Sequence, residues 1–370
     1  MAKSSAKDVL SGSYATEGIK YAGSKLKLLP HIMQAVSELE AVRTVLDGFS
    51  GTTRVAQALY QTGRYAVTAN DISVWSETFG RCYLLAEKPA AFYQERIDHL
   101  NALPGCDGWF TEHYGGDETD TKRPFQRKNT RRLDAIRQEI DRMELEVTDK
   151  AVLLTSLILA LDSVDSTPGH YASYLARWSP RSYKDLVLRL PRLCRRAGQE
   201  ARVVRGDIFD LVPTDAFDLA YFDPPYGSNN EKMPPSRVRY ASYYHLWTSV
   251  ILNDRPPLFG KACRREDTRD ALAASVFEEF RTNAEGKHLA MCALDRLVRE
   301  TRARYILLSY SSGGRATREE LLDILSSNGR LLKVLDLDYR HNVMASMTWT
   351  REWLNADTHH KEYLLLLEKS

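Results

Sequence analysis

The 370-residue chain reads as an α/β protein, a mostly parallel sheet made from two stretches of sequence with a long helical segment between them. Three observations lead there. Residues 44–72 run strand, turn, helix, strand. Residues 201–204 and 217–222 are short apolar strands, each followed by an acid, Asp207 and Asp223. Residues 80–198 lose that pattern and carry helical spacing instead.

In chain order, Thr44-Val45-Leu46 is an apolar strand, Asp47 to Gly51 a small-residue turn, Val55, Ala58 and Leu59 one face of a helix, and 65–68 the next strand. A parallel sheet of such βαβ units is buried on both faces and takes ligands beyond the carboxyl ends of its strands, where Asp47 and Asp71 sit. Helices are expected over 90–100, 131–146, 149–161 and 180–196. Residues 115–130, rich in Gly, Asp and Thr, read as a loop or mobile segment. After 201–204 and 217–222, three more strands are expected at 305–309, 331–335 and 362–367, the last two as an edge hairpin.

Composition removes several classes. With 43% hydrophobic and 27% charged residues, the chain is neither disordered nor fibrous. The longest apolar run, 151–161, is too short to cross a bilayer and is broken by Thr155 and Ser156, so no membrane partner is expected. Residues 1–10 lack the apolar core of a signal peptide. The five cysteines form no CxxC pair and are odd in number, which points to reduced thiols in a cytoplasmic protein, with no disulfide framework and no metal site. A net charge of +2 announces no nucleic-acid partner unless the positive charge is gathered on one face.

The strongest motif is Asp223-Pro224-Pro225-Tyr226, directly after the apolar strand Leu219-Ala220-Tyr221-Phe222. Two prolines in succession fix φ and remove two N–H groups, so the tip is stiff. It holds a carboxylate, the Pro224 carbonyl and an aromatic ring in one constellation. The exocyclic amine of a nucleobase is a poor nucleophile because its lone pair is delocalised into the ring. Two acceptors aimed at its hydrogens localise that lone pair for attack on a methyl group, and the Tyr226 ring offers a stacking face for a base taken out of the duplex. A second motif, Asp47-Gly48-Phe49-Ser50-Gly51-Thr52-Thr53, with Asp71 and Ile72 ending the next strand, suits a nucleoside: small residues allow close backbone approach and the acid accepts from ribose hydroxyls. It matches neither GxGxxG nor the P-loop. A third, Lys20-Tyr21-Ala22-Gly23-Ser24-Lys25, places Lys25 to bind a carboxylate and Tyr21 to cover a sulfonium methyl.

In this order the three motifs resemble the D12 class of N6-adenine DNA methyltransferases, of the α-group arrangement and restriction-modification type. The likeness runs from about Lys20 to Leu367 and includes Arg132-Leu133-Asp134-Ala135-Ile136-Arg137, Asp165 to Tyr171, Tyr243 to Trp247 and Leu307 to Ser311. It implies a Rossmann-like S-adenosylmethionine-dependent core, with 1–79 as the cofactor half, 80–198 as an inserted, mostly helical DNA-recognition region and 199–370 as the half bearing the catalytic strip. It implies Asp223, Pro224, Pro225 and Tyr226 as catalytic, and Tyr21, Lys25, Asp47, Phe49, Gly51, Asp71, Ile72, Asp207 and Ile208 as cofactor contacts. Thr53 stands where the family has glycine, and Ser166-Thr167-Pro168-Gly169 where it has Asn-Thr-Gly.

Lys122, Arg123, Arg127, Lys128, Arg131 and Arg132 gather around Phe125 and are read as contacts to duplex DNA; Arg192, Arg195, Arg196, Arg202 and Arg205 form a second, unassigned group. Residues 227–240, with Arg237, Arg239 and Tyr240, read as a DNA-contacting lid over the catalytic tip. His245 and Trp247 read as core residues. The expected activity is methyl transfer to adenine N6 in double-stranded DNA, with a cognate restriction endonuclease as a possible partner. RNA or small-molecule methylation and an inactive nucleic-acid-binding module stand as alternatives.

Overall fold

Val45 and Leu46 are fully buried between neighbouring strands, and this is where the sheet is centred. The structure, a computed structural model, describes residues 15–20, 23–117, 119, 123–194, 198–227, 240–269, 275–279, 281–338 and 361–369. Seven strands form the main sheet: β1 (Thr44–Asp47), β2 (Ala66–Asp71), β3 (Ala201–Arg205), β4 (Ala216–Phe222), β5 (Arg302–Ser311), β6 (Gly329–Asp338) and β7 (Lys361–Lys369). Their order is β6-β7-β5-β4-β1-β2-β3. β1 to β5 are mutually parallel where they pair, and β7 runs antiparallel to both neighbours.

Side chains alternate between two hydrophobic layers with the period of two that a strand imposes. Val45, Leu219, Tyr221, Leu307, Leu364 and Leu366 face one layer. Leu46, Ala220, Phe222, Leu308, Leu365 and Leu367 face the other. The expected hairpin at the end of the sheet exists, but β7 lies inside it and β6 alone forms the edge. Burial explains this, because Glu362 to Leu367 are covered on both faces while β6 alternates between half-buried and exposed.

The principal helices are α1 (Leu29–Ser37), α2 (Arg54–Gln61), α3 (Val74–Gly80), α4 (Ala90–Ala102), α5 (Trp109–Tyr114), α6 (Arg127–Arg142), α7 (Val147–Val164), α8 (His245–Leu252), α9 (Leu289–Glu300) and α10 (Arg318–Ser326). Those of the 80–198 segment do not enclose a separate core. Leu133, Ile136, Leu157 and Leu161 belong to the same buried layer as Val45 and Leu219. α3 continues as a π-helical turn, Arg81–Leu85, and the Tyr83 carbonyl accepts from the Cys194 amide at 3.1 Å, which stitches the end of the segment to its beginning.

The 132–137 stretch, part of the family likeness, works as scaffold. Arg132 donates to the carbonyls of Leu186, Leu103 and Asn101. Arg137, buried, donates to the last carbonyls of α8, Val250 O at 2.6 Å and Ile251 O at 3.1 Å, satisfying groups a helix end leaves open. Asp134 caps α5 from outside, accepting from the Phe110 and Thr111 amides at 3.0 and 2.8 Å and from the Thr111 hydroxyl at 2.6 Å. Gly108 is required there, since a Cβ would stand 2.5 Å from Asp134 Oδ1. Asp134→Ala leaves these buried donors unmet and is expected to cost about 2–4 kcal/mol, measured as a shift in the denaturant midpoint.

The expected helix over 180–196 is not formed. Apart from a 3₁₀ turn, Pro180–Tyr183, the described part of this stretch is extended or irregular. Leu186 and Leu188 are buried and Val187 is exposed, a strand-like alternation. The backbone hydrogen bonds come from side chains: Leu186 N–H donates to Asn129 Oδ1 and Leu188 N–H to Asn101 Oδ1, each at 2.9 Å. In the expected loop at 115–130, residues 115–116 pair with 125–126 and α6 begins at Arg127.

Candidate active site

β4 is a central strand whose last four residues are almost fully buried, so Asp223 emerges at its carboxyl end from a rigid base. No peptide bond in the described chain is cis, so both prolines continue in trans. The Tyr226 carbonyl accepts from the Arg315 amide at 2.8 Å, and the Tyr226 ring packs against Tyr310 at 5.3 Å. Gly314 allows that approach, because a Cβ would lie 2.5 Å from the Tyr310 ring and 2.9 Å from Tyr226 Cβ. The tip is thus braced by the turn that follows β5.

Lys25 reaches this tip from the 3₁₀ turn Lys25–Lys27. Its Nζ lies 3.0 Å from Asp223 Oδ1, 3.6 Å from Glu362 Oε2 and 5.3 Å from the centre of the Tyr226 ring. The lysine is 5% exposed. Burial alone would strip its proton, but Asp223, Glu362 and Tyr221 outweigh burial and hold it well above the ordinary lysine range. Burial pushes the Asp223 carboxyl up to about 6; Lys25 opposes that rise and Glu362 adds to it. Tyr240 also stands here, since a Cβ on Gly23, whose φ is +83°, would be 2.9 Å from the Tyr240 hydroxyl and 3.8 Å from that of Tyr226. Tyr240 thus stands beside the Asp223–Tyr226 tip, where the sequence places it as the last residue of the 227–240 segment.

The turn after β1 is tied to both neighbours. Gly48 N–H donates to Tyr221 O and Ser50 N–H to Asn70 O, each at 2.9 Å, and Asn70 Nδ2 donates to Gly48 O at 3.1 Å. A Cβ on Gly48 would sit 2.6 Å from the Phe222 ring, so only glycine fits. Asp71 Oδ2 accepts from the Gly51 amide at 2.9 Å, while Oδ1 takes the amide and hydroxyl of Ser73 at 2.9 and 2.7 Å. Thr53 adopts the left-handed backbone expected of glycine, φ 59°, at the head of α2. Its hydroxyl accepts from Gln57 Nε2 at 3.1 Å, which offsets the strain of a branched residue in that region.

Asp47 Oδ2 accepts from the Ala56 amide at 3.0 Å, while the buried Oδ1 has no hydrogen-bond partner among the described residues. Burial pushes its carboxyl up to about 8, against the Ala56 hydrogen bond, with the negative charges of Asp223 and Asp71 adding to the rise. Ile72, 73% exposed, is a large apolar side chain standing in the open beside Asp71. Phe49 packs edge-on against Phe222 and Phe277. Asp207 caps the short helix Ile208–Leu211, accepting from Phe209 N–H at 2.9 Å, and Ile208 is buried beneath Gly48. An open apolar face, an unmet buried acceptor and a glycine cradle at one end of the sheet fit a nucleoside.

The basic cluster is partly neutralised. Arg127 and Arg131 reach Asp107 at 3.0 and 3.6 Å, Lys128 reaches Asp185 at 2.6 Å, and Arg123 donates to His113 O at 3.1 Å. In the second group, Arg202 pairs with Asp215 and Arg205 with Glu77. His245 and Trp247 are buried, as read. Tyr21, Lys122, Arg195, Arg196, Arg237 and Arg239 lie outside the described residues. Glu362, an acid opening an apolar strand, carries no motif of its own in the sequence and has meaning only beside Lys25.

A central strand ending in Asp-Pro-Pro-Tyr, next to a glycine turn and an unmet buried acid on a mostly parallel sheet, is methyltransferase architecture. The profile of the D12 class N6 adenine-specific DNA methyltransferase matches residues 21–277, and the chain belongs to that family. It is 25% identical over 360 residues to the Type II methyltransferase M.NlaIII of Neisseria lactamica, covering 95% of this chain and the whole of that protein. It is 27% identical over 325 residues to the modification methylase StsI of Streptococcus sanguinis, and 25% identical over 347 residues to the Type II methyltransferase M.FokI of Planomicrobium okeanokoites. These alignments cover 83% and 87% of this chain but only 46% and 49% of the two relatives, so the chain spans about half their length.

Proposed function

We propose that this adenine-specific DNA methyltransferase uses S-adenosylmethionine to methylate N6 of an adenine rotated out of duplex DNA. The carrying observation is Asp223, fixed at the end of β4 with Oδ1 on Lys25. In this reading the remaining Asp223 oxygen and the Pro224 carbonyl accept the two N6 hydrogens, and Tyr226 stacks on the base. Asp47, Phe49, Gly51, Asp71, Ile72, Asp207 and Ile208, with Tyr21 and Lys25, hold the cofactor, whose sulfonium supplies the methyl group. The chain's own contribution is alignment and acceptors that support charge developing on the amine. The 80–198 segment, with Arg123, Arg127, Lys128 and Arg131, is proposed to position the duplex, and Lys122, Arg237 and Arg239 to add contacts. The names of the relatives, Type II methyltransferases and modification methylases, support a restriction-modification or protective role; the cytoplasmic location and a cognate endonuclease as partner belong to the same proposal.

The test is transfer of labelled methyl to mixed-sequence duplex DNA, followed by digestion to nucleosides. N6-methyladenine is the expected product, and label on RNA alone would replace the acceptor. Because only the ionised Asp223 accepts both ways, single-turnover rates are expected to fall as pH drops through about 6 and to be flat above it. A rate independent of pH between 5 and 7 would remove Asp223 from that role.

A further inference from the structure

We propose that Glu362 is a positioning residue for methyl transfer, holding the Lys25 ammonium between two carboxylates so that Asp223 meets the target amine in one fixed orientation. The proposal rests on the reading of Asp223 as the acceptor.

The sheet topology brings the glutamate there. Parallel strands put their last residues at the ligand end, but an antiparallel strand puts its first residues there. β7 is that strand, and Glu362 pairs with Ser311 at the carboxyl end of β5. Period-two alternation turns Glu362 to the same face as Leu364 and Leu366, the layer that also holds Tyr221. Glu362 is 6% exposed, in a strand whose next five residues are Tyr and four Leu. Packing asks for an apolar side chain at this position. A buried carboxylate is costly unless it is compensated, and its compensation is Lys25 at 3.6 Å.

The second carboxylate changes what Lys25 does to Asp223. With Asp223 as sole partner, the ammonium would be drawn wholly onto the catalytic acid and weaken it as an acceptor. Shared with Glu362, the same cation fixes Asp223 Oδ1 while neutralising it less. The other groups coupled to this acid are Tyr221 on its own strand, Asp47 at the end of β1, and Tyr240. Glu362 adds to the proton affinity of Asp223 where Lys25 reduces it.

The experiment is carbon-13 NMR of the full protein labelled at aspartate carboxyls, with the Asp223 resonance assigned by its loss in Asp223→Asn. Glu362→Gln, of the same shape, is expected to lower the Asp223 midpoint by about one pH unit, and the acid limb of methyl transfer with it. Glu362→Asp keeps the charge with a shorter reach and is expected to give a smaller shift in the same direction, which serves if Glu362→Gln does not fold. An Asp223 midpoint unchanged in both variants overturns the proposal. A shifted midpoint in a protein whose unaltered form leaves DNA unmethylated supports the coupling and overturns the functional reading instead.

Discussion

Asp223→Ala is expected to lower methyl transfer to duplex DNA by about a hundred- to a thousandfold, the loss that follows when one preorganised hydrogen-bonding group is taken from a developing charge. The change removes the carboxylate but leaves the Pro224 carbonyl, the Tyr226 ring and the proposed cofactor cradle in place. Cofactor binding measured by calorimetry should therefore persist while turnover falls. Stability should be nearly kept. Asp223 has its carboxyl raised in the folded protein, from 3.8 to about 6, so its ionisation opposes folding as pH rises through that window. Above pH 6 the alanine variant is free of that opposition, and Lys25 retains Glu362 as a partner. Loss of activity together with a collapsed fold would contradict this account, because it would make Asp223 structural.

Lys25→Met should do the reverse, harming the fold as well as the rate. Lys25 is the cation between two buried carboxylates at 3.0 and 3.6 Å, and its removal leaves like charges facing each other. Breaking a buried ion pair from one side costs about 3–5 kcal/mol, which denaturant unfolding at neutral pH would register. The pH profile should also move. Lys25 holds Asp223 down against burial, so without it the acid limb rises above 6, opposite to the shift expected for Glu362→Gln. Two substitutions in one cluster with opposite shifts are hard to mimic by general loosening. An unchanged unfolding midpoint in Lys25→Met would mean that the pair is not formed in solution.

Much of this site was legible in the sequence because its signals are local. Leu219 to Tyr226 carries strand, acid and rigid turn within eight consecutive residues, and the Asp47 to Gly51 turn with Asp71 is complete within one βαβ unit. Where the sequence misled, long-range partners decided. Residues 180–196 looked helical by composition, yet Leu186, Leu188 and Leu190 already stand two apart, and Asn129 and Asn101 supply the hydrogen bonds that an extended chain needs. The basic cluster around Phe125 was counted without Asp107 and Asp185, which the fold brings to it. Glu362 was unreadable because its partner lies at the other end of the chain.

The place of β7 in the sheet has a consequence for how the protein is made. β6 pairs with β7 and reaches the rest of the sheet through it, so neither the edge of the sheet nor the glutamate clamp exists until residues past 361 have been synthesised and inserted beside β5. A ribosome adding roughly 5–20 residues per second completes Asp223 to Tyr226 several seconds before Glu362 emerges. During that interval the growing chain carries the whole proposed catalytic strip but lacks the second carboxylate beside Lys25. The sheet is therefore completed only at a late step of synthesis, and a chain stalled short of β7 is expected to show no methyl transfer to DNA.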